Sequence, residues 1–268
     1  MLYLKAVILG IIEGLTEFLP ISSTGHLIIA GHFLDFNGAK AETFDIVIQL
    51  GAILAVIFLY KNTFIDLFFP NFSQEKKQKK FKGLYGIWLL FLTTLPGGIL
   101  GLLSHHYIKK YLFSPYTVAW ALGVGALFIL TVEHFCPKHK IVDLNQITSK
   151  NAFLVGCFQC LALWPGFSRS AATILGGMLL GMQRKLAAKY SFLAAVPIMF
   201  AATFYDLLKN YSLFSINDFI ILGIGFITSF ISAWYAIKGF IYLLEKITLK
   251  PFAYYRLIVA TLILLFIT

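Results

Sequence analysis

The stretch Glu13–Leu27 reads EGLTEFLPISSTGHL and interrupts a run that is otherwise as apolar as a membrane span. It contains two carboxylates, a proline, three consecutive hydroxyl residues, a glycine and a histidine. Ionisable groups at membrane depth are costly, and they persist mainly where they face a cavity or a partner. This stretch is therefore predicted to form half of a functional site.

The two glutamates of this stretch are spaced for a shared task. Glu13 and Glu17 are four residues apart, so on a helix their carboxylates project from one face, one turn apart. Carboxylate oxygens are ligands of Mg²⁺ and Ca²⁺, so the pair is the candidate site for a divalent cation. Two charges in an apolar helix also argue that the polar residues after them do more than cap a helix.

The hydroxyl residues that follow Pro20 fall where a second helix is expected to begin. The free N–H groups and the positive dipole end of a helix N-terminus bind anions, so Ser22, Ser23 and Thr24 are candidate phosphate-binding residues. His26 lies three residues after Ser23 and is expected to take a proton from it or to act on the same phosphorus. The alternative interpretation is a capping serine with a histidine that only satisfies its neighbours.

Composition places the chain among membrane proteins. Of its 268 residues, 59% are hydrophobic and only 13% are charged, which is typical of an integral membrane protein. A net charge of +10 could indicate a nucleic-acid partner. The basic residues lie in short loops between apolar segments, however, so the positive-inside rule explains them more simply and no nucleic acid is expected.

The apolar segments occur in an order that repeats. Because a span needs about 20 residues, the short pieces 2–19 and 21–34, broken at Pro20, are predicted to form a re-entrant hairpin. Three spans follow, then a second hairpin broken at Pro165, then three further spans. The predicted spans are 42–60, 84–104 and 116–134, the second hairpin is 151–164 with 167–182, and the last spans are 188–208, 218–240 and 252–268.

This order indicates one all-α membrane domain, 1–268, built from two repeats at about 1–134 and 151–268. A shift of 145 residues places Pro20 on Pro165, Ser23 on Ser168 and Tyr60 on Tyr205. A hairpin returns to the side it entered and three spans are an odd number, so the repeats are expected to be inverted. Two hairpins that enter from opposite faces can meet near the midplane of the membrane.

The second hairpin carries the complementary chemistry in WPGFSRSAAT, Trp164–Thr173. Arg169 follows a Pro-Gly turn, and its planar guanidinium matches phosphate oxygens in a bidentate way. A structural salt bridge to one of the two glutamates is the alternative, and both roles can coexist. Gln49, one helix away, is expected to orient a phosphate oxygen or to bond between helices. The candidate phosphate-binding residues are Arg169, Ser168, Ser170, Thr173, Ser22, Thr24 and Gln49.

The two motifs, EGLTEFLPISSTGHL and PGFSRSAAT, resemble those of the undecaprenyl pyrophosphate phosphatases of the bacitracin-resistance family. The similarity extends through FDIVIQLGAILAV (Phe44–Val56) and KYSFLAAVPI (Lys189–Ile198). The resemblance implies an enzyme of the bacterial cytoplasmic membrane that removes one phosphate from C55 isoprenyl pyrophosphate with the help of a divalent cation. Such an enzyme recycles the lipid carrier of cell-wall synthesis and gives resistance to bacitracin.

Matched by position, the resemblance assigns the family's acidic pair to Glu13 and Glu17. It assigns the hydroxyl and imidazole to Ser23 and His26, and the phosphate-holding arginine to Arg169. One departure is Ala171, where many relatives have glycine. Either Ser23 attacks phosphorus with His26 as base or His26 attacks itself, and the sequence does not choose between the two.

Two other activities share features with this sequence. A second class of membrane lipid phosphatases needs a histidine after its Ser-Arg motif, and no histidine follows His139 here. Inverted repeats with broken helices are also a transporter architecture, which makes a lipid flippase the main alternative. A hydroxyl and an imidazole beside carboxylates favour an enzyme. The sequence leaves open whether the protein also flips lipid and whether it forms a homo-oligomer.

Loop charge predicts the orientation in the membrane. With the topology above, one face carries five basic residues: Lys5, Lys40, Lys109, Lys110 and Lys209. The opposite face carries fourteen: Lys61, Lys76, Lys77, Lys79, Lys80, Lys82, Lys138, Lys140, Lys150, Arg184, Lys185, Lys189, Lys246 and Lys250. The positive-inside rule makes this second face cytoplasmic. The first hairpin, and the site with it, is then expected to open to the outer face.

Overall fold

The computed structural model of the protein describes residues 2–70, 81–136, 139–210 and 216–267. These residues form helices joined by short connections, and the described part of the chain contains no strand. Residues 73–80 of the basic loop, and Lys138, lie outside the described residues. The helices are α1 (Leu2–Thr16), α2 (Ser23–Leu34), α3 (Ala39–Leu59), α4 (Lys61–Phe68), α5 (Gly83–Tyr107), α6 (Pro115–Phe135), α7 (Ser149–Gln159), α8 (Arg169–Leu179), α9 (Arg184–Asn210), α10 (Ile216–Leu243) and α11 (Lys250–Phe266).

Five helical segments of the described chain are long and apolar enough to cross a membrane. They lie in α3, in α5 with its π-helical continuation, in α6, in α9 and in α10. The sequence predicts six spans, and the sixth, 252–268, corresponds to α11. That helix has 17 residues, a length of about 25 Å at 1.5 Å per residue, which is shorter than the roughly 30 Å hydrocarbon core. Five of the six predicted spans therefore correspond to helices long and apolar enough to cross, and the sixth stays a prediction.

Both predicted hairpins are present, and each begins and ends at one end of the molecule. In the first, Lys5 Nζ near the start of α1 donates to the carbonyl of Asp35 at the end of α2, at 3.1 Å. In the second, the amides of Lys140 and Ile141, ahead of α7, both donate to the Gly181 carbonyl after α8, at 2.9 and 3.0 Å. Each pair of helices therefore turns back on itself.

The two hairpins open at opposite ends of the helical bundle, and α6 shows this. Its first residue follows the segment that contains Lys109, which pairs with Glu42 at the start of α3. The other end of α6, about 31 Å away, carries Glu133, whose carboxylate binds Arg184 just after the second hairpin. The turns of the two hairpins meet between these ends, where Ser170 Oγ donates to the Leu19 carbonyl at 2.8 Å.

Glycines let the first hairpin pack closely enough to bring Glu13 inside. On α1, Gly10 and Gly14 form a small-xxx-small pair against α10, and a Cβ on Gly14 would lie 2.3 Å from the carbonyl of Ser229. On α7, Gly156 packs against α5 in the same way, with the carbonyl of Thr93 at 2.6 Å from a Cβ position. In each hairpin, therefore, a glycine on the first helix packs closely against the backbone of a long apolar helix.

The second helix of each hairpin, α2 or α8, is capped by a serine with a strained backbone. Ser22 has φ 70° and its side chain accepts from the Gly25 amide, while Ser168 has φ 78° and accepts from the Ala171 amide. A non-glycine residue in such a region costs on the order of 1–3 kcal/mol, and such strain concentrates at functional sites. The same cap therefore starts both α2 and α8.

The two capping serines align the repeats differently from the predicted shift. Ser22 and Ser168 are structurally equivalent and lie 146 residues apart, so the predicted shift of 145 is one residue too small at the site. The second turn contains one additional residue, and Gly166 takes a positive φ of 97° there. The equivalent of Ser23 is therefore Arg169 and not Ser168, because each is the first residue of its helix.

Candidate active site

Glu17 joins the two hairpins at the centre of the molecule. Ser23 Oγ donates to Glu17 Oε2 at 2.5 Å, and Arg169 Nη2 donates to Glu17 Oε1 at 3.1 Å. The Glu17 side chain is only 7% exposed and that of Arg169 13% exposed, so the ion pair is well shielded from water. A hydroxyl and a carboxylate of the first hairpin and a guanidinium of the second thus form one contact network.

The remaining contacts of Arg169 hold its guanidinium without using all of its donors. Nη1 donates to the Ser191 carbonyl at 3.2 Å, and the guanidinium lies over the Phe18 ring at 5.6 Å. Nε is buried and has no hydrogen-bond partner among the described residues. A buried donor without a partner is costly, and an anion in the adjoining cavity would satisfy it. The salt bridge and phosphate binding are therefore compatible.

A cavity of about 190 Å³ lies beside this network, and we call it the anion cavity. The first residues of α2 and α8 both border it, so two helix N-termini and one guanidinium contribute positive potential to the same space. Most of the predicted phosphate-binding residues are brought together here. Those lining it are Ser22, Ser23, Thr24, Gln49, Ser168 and Arg169.

A second cavity of about 450 Å³ continues from the first, and we call it the acidic cavity. It shares Ser23, Thr24 and Gln49 with the anion cavity and carries the carboxylates of Glu13, Glu42 and Asp45. Lys109, which is paired with Glu42, also lines this cavity. Because three carboxyl groups line it beside a single lysine, this cavity offers oxygen ligands to a cation.

Glu13 has the environment of a cation ligand. Its side chain is fully buried, and neither carboxylate oxygen has a hydrogen-bond partner among the described residues. A cation in the acidic cavity would satisfy these oxygens. In the described part of the chain, no three His, Cys, Asp or Glu side chains are grouped to hold a metal ion. The residues therefore fit an ion that takes the rest of its ligands from water and substrate oxygens, as Mg²⁺ commonly does.

The structure places His26 away from Ser23. His26 Nδ1 lies 2.7 Å from the Ser22 carbonyl, and Nε2 lies 2.7 Å from the hydroxyl of Tyr255. Because a carbonyl only accepts, Nδ1 carries a proton, and in the neutral ring Nε2 accepts from Tyr255. The expectation that His26 takes the proton of Ser23 is therefore not met by this geometry, since Glu17 holds that hydroxyl instead.

Two of the predicted phosphate-binding residues face the protein interior. Ser170 donates to the Leu19 carbonyl, and Thr173 Oγ1 lies 2.6 Å from Ser191 Oγ. Both side chains are almost completely buried, and neither lines the anion cavity. They follow Arg169 by one and four residues, so their side chains project from α8 into the surrounding helices. The structure assigns them to packing between elements.

Sequence reasoning missed three residues of the site region: Asp45, Tyr255 and Arg256. Asp45 lines the acidic cavity one turn before Gln49, and Tyr255 contacts His26. Arg256 is fully buried on α11 and reaches the turns of both hairpins. A signal was present for two of them, because Asp45 and Arg256 are also ionisable residues inside apolar segments.

Comparison with known proteins gives one consistent result. The model of the family described as bacitracin resistance protein BacA matches residues 6–262. A protein of Maridesulfovibrio salexigens called undecaprenyl-diphosphatase is 63% identical over 261 residues, covering 97% of each chain. Proteins with the same name from Oleidesulfovibrio alaskensis and Lawsonia intracellularis are each 57% identical; the first covers 98% of both chains, and the second covers 97% of this chain and 96% of its own.

Proposed function

Since the chain belongs to the BacA family of bacitracin resistance proteins, we propose that it is an undecaprenyl-diphosphatase. It hydrolyses undecaprenyl pyrophosphate to undecaprenyl phosphate and inorganic phosphate, and so recycles the lipid carrier of cell-wall synthesis. The observation that supports this most directly is the convergence of Ser23 and Arg169 on Glu17 beside the anion cavity. That arrangement joins a nucleophile, a proton acceptor and a phosphate-binding cation.

Ser23 is the nucleophile in this proposal, and Glu17 is its base. The hydroxyl already donates to the Glu17 carboxylate at 2.5 Å, a length typical of a hydrogen bond from a hydroxyl to a charged carboxylate, so the proton is within reach of this base. As Ser23 Oγ bonds to the terminal phosphorus, its proton passes to Glu17. The bond from that phosphorus to the bridging oxygen breaks, and undecaprenyl phosphate leaves with the electron pair. Water then hydrolyses the phosphoserine to free serine and inorganic phosphate.

Positive groups around the anion cavity would stabilise the charge that develops during transfer. Arg169 offers its unpartnered Nε, and the N-termini of α2 and α8 contribute their dipoles. Gln49 lines both cavities and is placed to orient a phosphate oxygen or the attacking water. His26 stabilises the backbone next to the nucleophile, since its ring Nδ1 donates to the carbonyl of Ser22, the residue before Ser23.

A divalent cation would be held by Glu13, and Glu17, which follows the end of α1 and whose amide donates to the Glu13 carbonyl, is the second candidate ligand. When bound, Mg²⁺ or Ca²⁺ would neutralise phosphate charge and polarise the phosphoryl oxygens. We expect a chelator to abolish phosphate release. Added Mg²⁺ or Ca²⁺ should raise the thermal midpoint of the wild type and not that of Glu13→Gln. Full activity in excess chelator, or equal midpoint shifts in both proteins, would argue against the cation site.

The site is proposed to open to the outer face of the cytoplasmic membrane, with the two repeats inverted. The opposite opening of the two hairpins supports the inversion, and the distribution of loop lysines supports the orientation. Single cysteines at Lys110 and Lys250, in a background without native cysteines, test it in intact cells. An impermeant thiol reagent should label position 110 and leave position 250 unlabelled. The reverse pattern would invert the topology.

Phosphate release by the purified protein tests the activity itself. We expect release of one phosphate per undecaprenyl pyrophosphate in the presence of a divalent cation, with undecaprenyl phosphate as the lipid product. Quenching with denaturant at neutral pH during turnover of terminally labelled substrate, which preserves both phosphoserine and phosphohistidine, should trap label on Ser23. Label on His26 would instead support attack by the imidazole, and an absence of phosphate release would contradict the proposed function as a whole.

A further inference from the structure

We propose that Arg256 is a positioning residue for this reaction. Its guanidinium holds the turns of the two hairpins together, so that Ser23 and Arg169 face one phosphate. The inference rests on the proposed function, because it concerns the rate of the same hydrolysis. It assigns a task to a residue on α11 that lines neither of the two cavities.

The contacts of Arg256 are unusual for a buried arginine. The side chain is fully buried, and all five of its hydrogen bonds go to backbone carbonyls at 2.8–3.2 Å. A guanidinium carries five N–H donors in a fixed plane, and here each donor nitrogen is used. The acceptors are the carbonyls of Pro20 in the first turn, of Gly166 and Phe167 in the second, and of Ala121 and Leu122 on α6.

These carbonyls lie directly ahead of the reactive helices. Phe167 immediately precedes the cap of α8, and Pro20 precedes the cap of α2 by two residues. Ser23 and Arg169 are the first residues of those helices. The hairpin carbonyls that Arg256 binds therefore lie two or three residues before each of them in the chain. A displacement of about 1 Å at such a position can cost about 10²-fold in rate.

A role in holding α11 against α6 would not require this arrangement. The carbonyls of Ala121 and Leu122 alone would join those two helices, whereas three of the five bonds go to the hairpin turns. Burial of a charge is also costly, and an apolar side chain of similar size would pack α11 at less expense. Lysine cannot replace the group, since its compact ammonium has three donors and cannot span carbonyls from three elements.

Gly125 on α6 provides a second way to displace the guanidinium. A Cβ at Gly125 would lie 2.0 Å from Nη2 and 2.7 Å from Cζ of Arg256. Gly123, two residues earlier on the same helix, has no atom within 4 Å of its Cβ position. Substitution of each by alanine has the same helix propensity effect, so Gly123→Ala is a matched control for Gly125→Ala.

The experiment compares Arg256→Lys, Gly125→Ala, Gly123→Ala and wild type, each purified and normalised to the monodisperse, folded fraction. We expect kcat to fall about 10²-fold in Arg256→Lys and about tenfold in Gly125→Ala, with KM changed less than about threefold in both. Gly123→Ala should retain wild-type kinetics. In the double variant of 125 and 256 the two losses should not multiply, because both act through one guanidinium.

Several results would overturn the proposal. A folded Gly125→Ala or Arg256→Lys protein with wild-type kcat would show that the clamp does not position the reaction. Failure of Gly125→Ala to fold while Gly123→Ala folds would assign Arg256 to the fold and not to catalysis. Losses that multiply in the double variant would mean separate causes. An inactive wild type contradicts the proposed function instead, so the two failures remain distinguishable.

Discussion

The two hairpins share one backbone design and differ in what surrounds their second helices, α2 and α8. Both α2 and α8 begin at a serine cap with positive φ, and both place a reactive group at the first helical residue. In α2, only Ser23, Gly25 and Gly31 are buried, and the helix borders both cavities. In α8, every residue from Ser170 to Met178 is buried among other helices.

In the proposed mechanism, this difference separates a reactive hairpin from a supporting one. The first hairpin presents its hydroxyl to two cavities, one suited to anions and the other to cations. The second hairpin contributes one cation, Arg169, and uses its other polar groups to bond to its neighbours. Similar sequence motifs thus have different tasks, because burial decides whether a side chain is available to a ligand. The predictions below test that contrast.

The largest effect is expected from removal of the proposed nucleophile, Ser23. Ser23→Ala should lower kcat by about 10³-fold or more, because no other described hydroxyl donates to Glu17. Steady-state phosphate release, with trapping of the phosphoenzyme in denaturant at neutral pH, measures it. Ser104→Ala, at a serine that lines neither cavity and bonds within its own helix, is the matched control and should retain wild-type turnover. Near wild-type turnover in Ser23→Ala would break the contrast between the two hairpins.

Arg169→Lys should have the next largest effect. Lysine keeps the charge but cannot contact Glu17, the Ser191 carbonyl and a phosphate in one plane, so kcat/KM should fall by about 10²-fold. Kinetics over a range of substrate concentrations would measure the loss. Arg184→Lys, which alters an ion pair with Glu133 outside the cavities, serves as the control. Equal activity of the two variants would mean that Arg169 acts only as a structural pair.

A smaller effect is expected from loss of the hydrogen bond between Tyr255 and His26. Tyr255→Phe removes the hydroxyl that contacts His26 Nε2 at 2.7 Å and leaves the ring stacking in place. The loss of one hydrogen bond is worth about 1 kcal/mol, so kcat should fall about fivefold. His26→Ala should exceed this loss and still retain more activity than Ser23→Ala. If His26→Ala were the more severe variant, the imidazole would have to act directly on the substrate.

The smallest effect is expected within the buried helix of the second hairpin. Ser170→Ala removes the bond from its hydroxyl to the Leu19 carbonyl, which keeps the Ile21 amide as a donor, so the free energy of unfolding should fall by about 1 kcal/mol. Because Ser170 lines neither cavity, kcat and KM should stay within about twofold of wild type. Thermal unfolding and kinetics on one preparation separate the two quantities. A large rise in KM would return Ser170 to the phosphate site.

Much of the fold was predictable because polar residues stand out in an apolar chain. The breaks at Pro20 and Pro165 located both hairpins, and the spacing of Glu13 and Glu17 located the acidic face of α1. The register between the repeats was not predictable from identities alone. A single additional residue at Gly166, in a positive φ conformation, shifted it by one position.

By itself, the sequence determined which groups gather at the site: Glu17, Ser23, Arg169 and the helix starts that carry them. Local patterns set those features, because a proline break, a serine cap and a four-residue spacing act within one or two turns. Tertiary structure alone decided which partner each group binds. His26 is held by Tyr255, which is 229 residues away, and Ser23 by Glu17. Arg256 joins the turns of both hairpins from the last helix. Such choices depend on how distant helices pack, since a hydrogen bond requires atoms within about 3 Å whatever their separation in the chain.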